Sequence, residues 1–221
     1  MNGEIVWDHF KELQSEFPNV TLAYENDRFY VRGKIQFRAQ YLDHELVDEA
    51  YLVEMELPTN YPSAPPIARE LEGRIPNTFH TFSDGTLCLG APLAVKMTFA
   101  KNSTLLGFVK TQLIPYLYSF SYAATNKDLP YGELDHGARG ILNYYKELFQ
   151  VDSEECCINF LYILASQKYR GHLLCPCNSG KILRKCHGPM LLELQQYQTP
   201  REFGIEFIDC LEFIKKNRKK G

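Results

Sequence analysis

The chain has 221 residues, 45% hydrophobic and 23% charged, with a formal net charge of −3. That length suits one large domain, or one medium domain with an appendage, and there is ample apolar material for a packed core. The faintly acidic balance excludes a whole-protein field for nucleic acid, and no apolar run approaches the roughly 20 residues of a membrane-spanning helix.

The first element is an amphipathic helix: Val6, Phe10, Leu13 and Phe17 recur at helical spacing between charged residues, and Pro18 ends it. In "RFYVRGKIQFRAQ", Phe29, Val31, Ile35, Phe37 and Ala39 fall on one face and Tyr30, Arg32, Lys34, Gln36 and Arg38 on the other. This alternation predicts a half-buried antiparallel strand, with "TLAYEN" and "AYLVEMELP" as its neighbours. "END" and "LDHELVDE" read as turn or loop. Proline-dense "TNYPSAPPIARE" is a rigid extended crossover into a short strand at Ile67 to Leu71. "GRIPNTFHTFSDGTLCLGAP" reads as a long structured loop anchored by Phe79 and Phe82, a kind of segment that is often functional.

The remainder is mostly helical. "NSTLLGFVKTQLIPYLYSFSYAAT" has an N-cap candidate at Asn102 or Ser103 and an apolar stripe through Leu106, Val109, Leu113 and Leu117. Pro115 is expected to kink or break it. "HGARGILNYYKELFQ" and "DSEECCINFLYILASQ" follow as helices, the latter capped by Asp152 or Ser153, with Cys156 and Cys157 packed in the core. The last helix opens with a capping box, Thr199 to Glu202, with Pro200 at its first position. Phe203, Phe207, Leu211 and Ile214 form its apolar face, and Cys210 also reads as core. The basic stretch "KKNRKKG" reads as a solvated tail.

"MNGEIVWDHFKELQSEF" lacks a basic start, an apolar middle and a cleavage site, so a cytoplasmic protein is expected. In that reducing compartment, seven cysteines read as thiols or metal ligands. In "CPCNSGKILRKCHG" one residue separates Cys175 from Cys177, and eight more precede Cys186 and His187. Three thiolates and an imidazole make a complete tetrahedral set for zinc, with no open position, so the metal is expected to be structural. Lys181, Arg184 and Lys185 would offset the thiolate charge. The pattern resembles the SEC-C motif, a short zinc-binding module at the ends of bacterial proteins, where it makes protein or ribosome contacts.

An N-terminal helix, a four-strand meander, a proline-rich segment, a loop with one cysteine and then helices resemble in their order the ubiquitin-conjugating (UBC-like) fold. "ELPTNYPSAPPIA" is similar to that family's P-x-x-Y-P-x-x-P-P stretch, and "GTLCL" to the G-x-I-C-L around its catalytic cysteine. The resemblance implies an α+β protein with a UBC-like conjugating domain over 1–150. A helical extension over 151–221 follows, with the SEC-C motif at 170–189. It further implies that Cys88 forms a thioester with a ubiquitin-like modifier or a protein C-terminus and passes the acyl group to an amine. Small residues on both sides, Gly85 and Gly90-Ala91-Pro92, leave room for a modifier's tail.

The family's His-Pro-Asn triplet is missing. Its Asn lies eight residues before the cysteine, where this chain has His80. A neutral histidine could donate to an oxyanion or deprotonate the incoming amine. His136, in "YGELDHGARG", resembles a histidine beyond the cysteine in bacterial members; it could shape the site or cap the following helix. The implied partners are an activating enzyme and a modifier or target protein, in an antiphage or conjugation operon that could include a signalling nucleotidyltransferase. No nucleotide-binding loop is present for unaided activation with ATP. The competing expectations are a non-catalytic UBC-like module that binds a protein and is recruited through its zinc motif, and, ranked last, a thiol hydrolase or protease using Cys88 with His80 or His136.

Overall fold

In the computed structural model the first helix, α1 (Gly3–Glu16), starts where the Asn2 side chain accepts the Glu4 N–H at 3.0 Å. It ends where the Phe17 N–H closes on the Leu13 carbonyl, one residue before Pro18. The structure describes residues 2–126, 129–130 and 137–218. They divide into two units, Met1–Gly90 with Ala94–Glu133, and Ala91–Leu93 with Leu134–Gly221.

The first unit is built on a four-stranded antiparallel sheet in sequential order: β1 (Val20–Glu25), β2 (Arg28–Ala39), β3 (Val47–Leu57) and β4 (Ile67–Glu70). Phe29 pairs with Leu57 and Ala39 with Val47, so the alternation of β2 is matched across β3. Val31, Ile35, Phe37, Tyr51, Val53, Met55 and Leu57 are buried. Each such side chain contributes about 1.5–3 kcal/mol on burial. The opposite face carries the ion pairs Arg32–Glu25, Arg32–Glu54 and Arg69–Glu56. Solvent-screened pairs on such a half-buried face contribute about 1 kcal/mol each, less than the buried side chains opposite, so the apolar face fixes the register. At Gly33 an added Cβ would lie 2.1 Å from the Asn19 carbonyl oxygen, and only glycine admits that approach between β2 and the entry to β1.

β3 begins at Val47, three residues inside the stretch expected to be loop. Asp48 and Glu49 gave that stretch its loop-like polarity, yet Asp48 sits directly across from Arg38 in the ladder. A second difference is α2 (Pro92–Lys101), in a segment assigned no helix from sequence. Its apolar residues Leu93, Val95, Met97 and Phe99 fall at every second position, so no helical period is legible.

Helical backbone then runs without a gap from 105 to 126: α3 (Leu105–Phe108), a π-helical turn (Val109–Leu113) and α4 (Ile114–Asn126). Thr104 is the N-cap, accepting the Gly107 N–H at 2.9 Å, and not Asn102 or Ser103. Pro115 does not break the helix. Its ring would press on the carbonyl one turn back, and the wide turn ahead of it, closed by Ile114 N–H to the Val109 carbonyl, relieves that crowding. α4 packs on β3, where the Tyr51 and Ser121 hydroxyls meet at 2.7 Å in the core.

The second unit holds α5 (Gly137–Leu148), α6 (Glu154–Ser166), α7 (Gly188–Leu194) and α8 (Pro200–Arg218). Ser153 is the N-cap of α6, and the α8 capping box forms, with Thr199 N–H to Glu202 Oε2 at 2.8 Å. Cys156, Cys157 and Cys210 are buried, as the sequence suggested. The inner face of α8 is Phe203, Glu206, Cys210 and Ile214, while Phe207 and Leu211 are only half-buried. Glu206 is tolerated there because the buried Tyr145 hydroxyl donates to its carboxylate. Among the described residues no helix is long and apolar enough to cross a membrane.

Candidate functional site

The loop bearing Cys88 is a small hairpin. Gly85 N–H bonds back to the Phe82 carbonyl and Phe82 N–H to the Thr86 carbonyl; the Asp84 carboxylate accepts the Thr86 N–H at 3.0 Å. Those Thr86 contacts, with Arg69 nearby, hold the Asp84 carboxyl below its ordinary value. Gly85 turns with φ +80, which suits glycine. Leu87 is buried and gives its N–H to the Ala68 carbonyl, docking the hairpin on β4. Cys88 follows, half-buried, with its Sγ 4.0 Å from the Gly90 carbonyl oxygen.

His80 and Cys88 meet through the backbone: the Cys88 N–H donates to the His80 carbonyl at 2.7 Å. His80 has φ +36, an unusual conformation for a non-glycine residue, and its ring lies edge-on to Phe79 at 5.1 Å. His136 lies outside the described residues. A residue not singled out from sequence completes the loop: the Tyr116 hydroxyl lies 3.1 Å from the Phe79 carbonyl oxygen and 3.2 Å from that of His80. Phe79 packs between Tyr116 and Phe120, so α4 clamps the first arm of the hairpin. Burial pushes the Cys88 thiol above its ordinary value and the Tyr116 phenol up to about 12. In the sequence Tyr116 is one aromatic in an apolar run, with nothing to mark its hydroxyl.

The second constellation lies in the helical unit. Leu174 bridges to Ile182, and the Cys175 N–H donates to the Lys181 carbonyl at 2.8 Å, closing a tight hairpin. Its tip turns through Asn178 and Gly180, both at positive φ. Cys186 follows a 3₁₀ turn (Leu183–Lys185), and His187 is the N-cap of α7. The donor atoms of Cys175, Cys177, Cys186 and His187 all lie within 4.8 Å of one another. His187 Nδ1 is 3.3 Å from both the Cys175 and Cys186 sulfurs, and the Cys177 and Cys186 sulfurs are 3.5 Å apart.

The four residues could hold a metal ion. A tetrahedral ion with metal–sulfur bonds of about 2.3 Å and metal–nitrogen bonds of about 2.0 Å needs edges of about 3.8 Å and 3.5 Å, and the three short edges, 3.3, 3.3 and 3.5 Å, come within about half an ångström of these. His187 Nε2 lies 2.8 Å from the Phe149 carbonyl oxygen. Donation of the Nε2 proton there leaves Nδ1, the nitrogen facing the sulfurs, with its lone pair free. Burial pushes the Cys175 thiol up to about 11. Burial also acts to raise Cys177, but the Ser179 hydroxyl and backbone N–H bring it down to about 6. Gly188 is needed beside the ligands, because an added Cβ would lie 2.5 Å from the Tyr169 hydroxyl and 2.7 Å from the Leu183 carbonyl oxygen.

No protein-family model, no curated protein and no solved structure matches the chain.

Proposed function

We propose that the protein is a ubiquitin-conjugating-like acyltransferase that carries a ubiquitin-like modifier, or another protein C-terminus, as a thioester on Cys88. The observation that carries this reading is a half-buried cysteine on a braced hairpin, docked beside β4 directly after an antiparallel meander and a "YPSAPP" segment. In the first step the Cys88 thiolate attacks the thioester carbonyl of a modifier on an activating enzyme, and that enzyme's thiolate departs. In the second an acceptor amine attacks the Cys88 thioester, Cys88 leaves as a thiolate, and the amine's proton passes to a base, for which His80 and His136 are the candidates. A signalling nucleotidyltransferase in an antiphage operon is among the partners this reading admits. The cysteine–histidine cluster holds a structural zinc: three thiolates and an imidazole fill the tetrahedron and leave no position open for a substrate.

One observation favours a second reading, a non-catalytic protein-binding module: burial raises the Cys88 thiol and so lowers its thiolate fraction at neutral pH. Intact mass spectrometry decides between them. The protein is co-expressed with its genomic neighbours and measured with and without a thiol reductant, beside Cys88→Ala. The transferase reading expects a protein adduct that is lost with thiol and absent from Cys88→Ala. No adduct in the presence of a demonstrably active activating enzyme would leave the binding module.

A further inference from the structure

Around the metal-ligating hairpin the surface has two properties that no part of the thioester reading uses. The first is charge. No Asp or Glu occurs between Glu155 and Glu193, while Lys168, Arg170, Lys181, Arg184 and Lys185 are all exposed. None of the five forms an ion pair with a described residue. The second is an open groove of about 360 Å³ between α6 and the hairpin. Tyr162 and Ile163 of α6 form one wall, Leu173 and Leu174 the other, and Lys168 and Arg170 stand at its rim. Leu174 is 70% exposed, Leu173 49% and Tyr162 43%. Lys168 is held at this edge, with its ammonium 3.3 Å from the Tyr162 hydroxyl.

Exposed leucines gathered at one groove are costly in water and mark a contact surface. The shape and chemistry of the walls narrow the occupant. They are aliphatic and concave, with Tyr162 the one aromatic ring, so they offer no stacking platform for successive bases. A membrane interface calls for apolar side chains that protrude together from a convex face, which a recess does not provide. A peptide fits both properties, its apolar side chains in the groove and its carboxylates against the rim.

We infer that the groove between α6 and the metal-ligating hairpin docks a partner protein through a short apolar segment flanked by acidic residues. The hairpin wall is set by the metal cluster, because Leu174 immediately precedes the ligand Cys175. The inference is independent of any chemistry at Cys88.

The test is fluorescence anisotropy on the full-length zinc-loaded protein. The probe is a fluorescein-labelled pool of 12-residue peptides, four central positions drawn from Leu, Ile, Val, Met and Phe and flanked by Asp and Glu. One control pool carries Lys in place of the acids, another Ser in place of the apolar residues. Binding of the acidic apolar pool should be at least about tenfold tighter than of either control, and should weaken at least about tenfold in Leu174→Asp. Tyr162→Ala, on α6 and away from the ligands, should weaken it comparably with metal content unchanged. Equal binding of the three pools, or binding that neither substitution affects, would overturn the inference. So would a groove-dependent response to a single-stranded RNA 20-mer or to phosphatidylglycerol vesicles with none to the peptides.

Discussion

The amide of Cys88 and the carbonyl of His80, 2.7 Å apart, tie the second arm of the hairpin to the first, and Tyr116 braces that carbonyl from α4. Replacing Tyr116 by Phe keeps the ring packing and removes the brace. A lost hydrogen bond of this kind costs about 1 kcal/mol, or about fivefold in a local opening equilibrium. Hydrogen exchange at the Cys88 amide should accelerate by about that factor while the exchange of β2 and β3 stays unchanged.

The Cys88 thiol is raised by burial, so its protonated form is favoured and the thiolate appears only as pH climbs past the ordinary cysteine value. Alkylation of Cys88 by iodoacetamide, followed by mass spectrometry of the loop peptide, should therefore keep rising through pH 9. The inflection should lie above that of a cysteine in an unstructured peptide. An inflection near neutrality would show a thiol activated at rest.

Read as a metal site, the four donors Cys175, Cys177, Cys186 and His187 predict one tightly held ion per chain. Chelation should leave three thiols of the hairpin region reactive and lower the thermal stability of the helical unit by several degrees. Gly188→Ala forces a Cβ against the Leu183 backbone beside the ligands. Metal content by elemental analysis and melting temperature should both fall, with a cost of about 2 kcal/mol or more for a clash the backbone must relieve.

Tyr145→Phe removes a hydroxyl donor from the buried carboxylate of Glu206. The loss should cost about 1–3 kcal/mol in chemical denaturation. The double variant Tyr145→Phe with Glu206→Leu should recover part of it, since no buried carboxylate then remains.

Much of this architecture was legible because it rests on periodicity. β2 alternates cleanly, and the cysteine–histidine spacing is compact enough to imply a cluster. What escaped was whatever tertiary contacts decide. α2 is apolar at alternate positions and so carries no helical rhythm. The start of β3 was hidden by charges met from distant parts of the chain: Asp48 lies across from Arg38 on β2, and Glu49 pairs with Arg74 beyond β4. The Phe149 carbonyl that orients His187 belongs to the backbone, which every residue shares, and no side-chain pattern can announce it. Tyr116 and Glu206 matter through a hydroxyl and a carboxylate aimed at neighbours distant in sequence.

The wide turn at Val109–Leu113 also sets an angular phase. One extra residue in a helix rotates all that follows by about 100°. Tyr116 reaches the hairpin, Leu117 the core and Ser121 the sheet only with that offset included. Deleting a single residue between 109 and 113 would restore a regular α-helix, yet swing the Tyr116 hydroxyl about a quarter-turn off its two carbonyls. The hairpin that carries Cys88 is thus indexed to a helix whose irregularity is the reference mark.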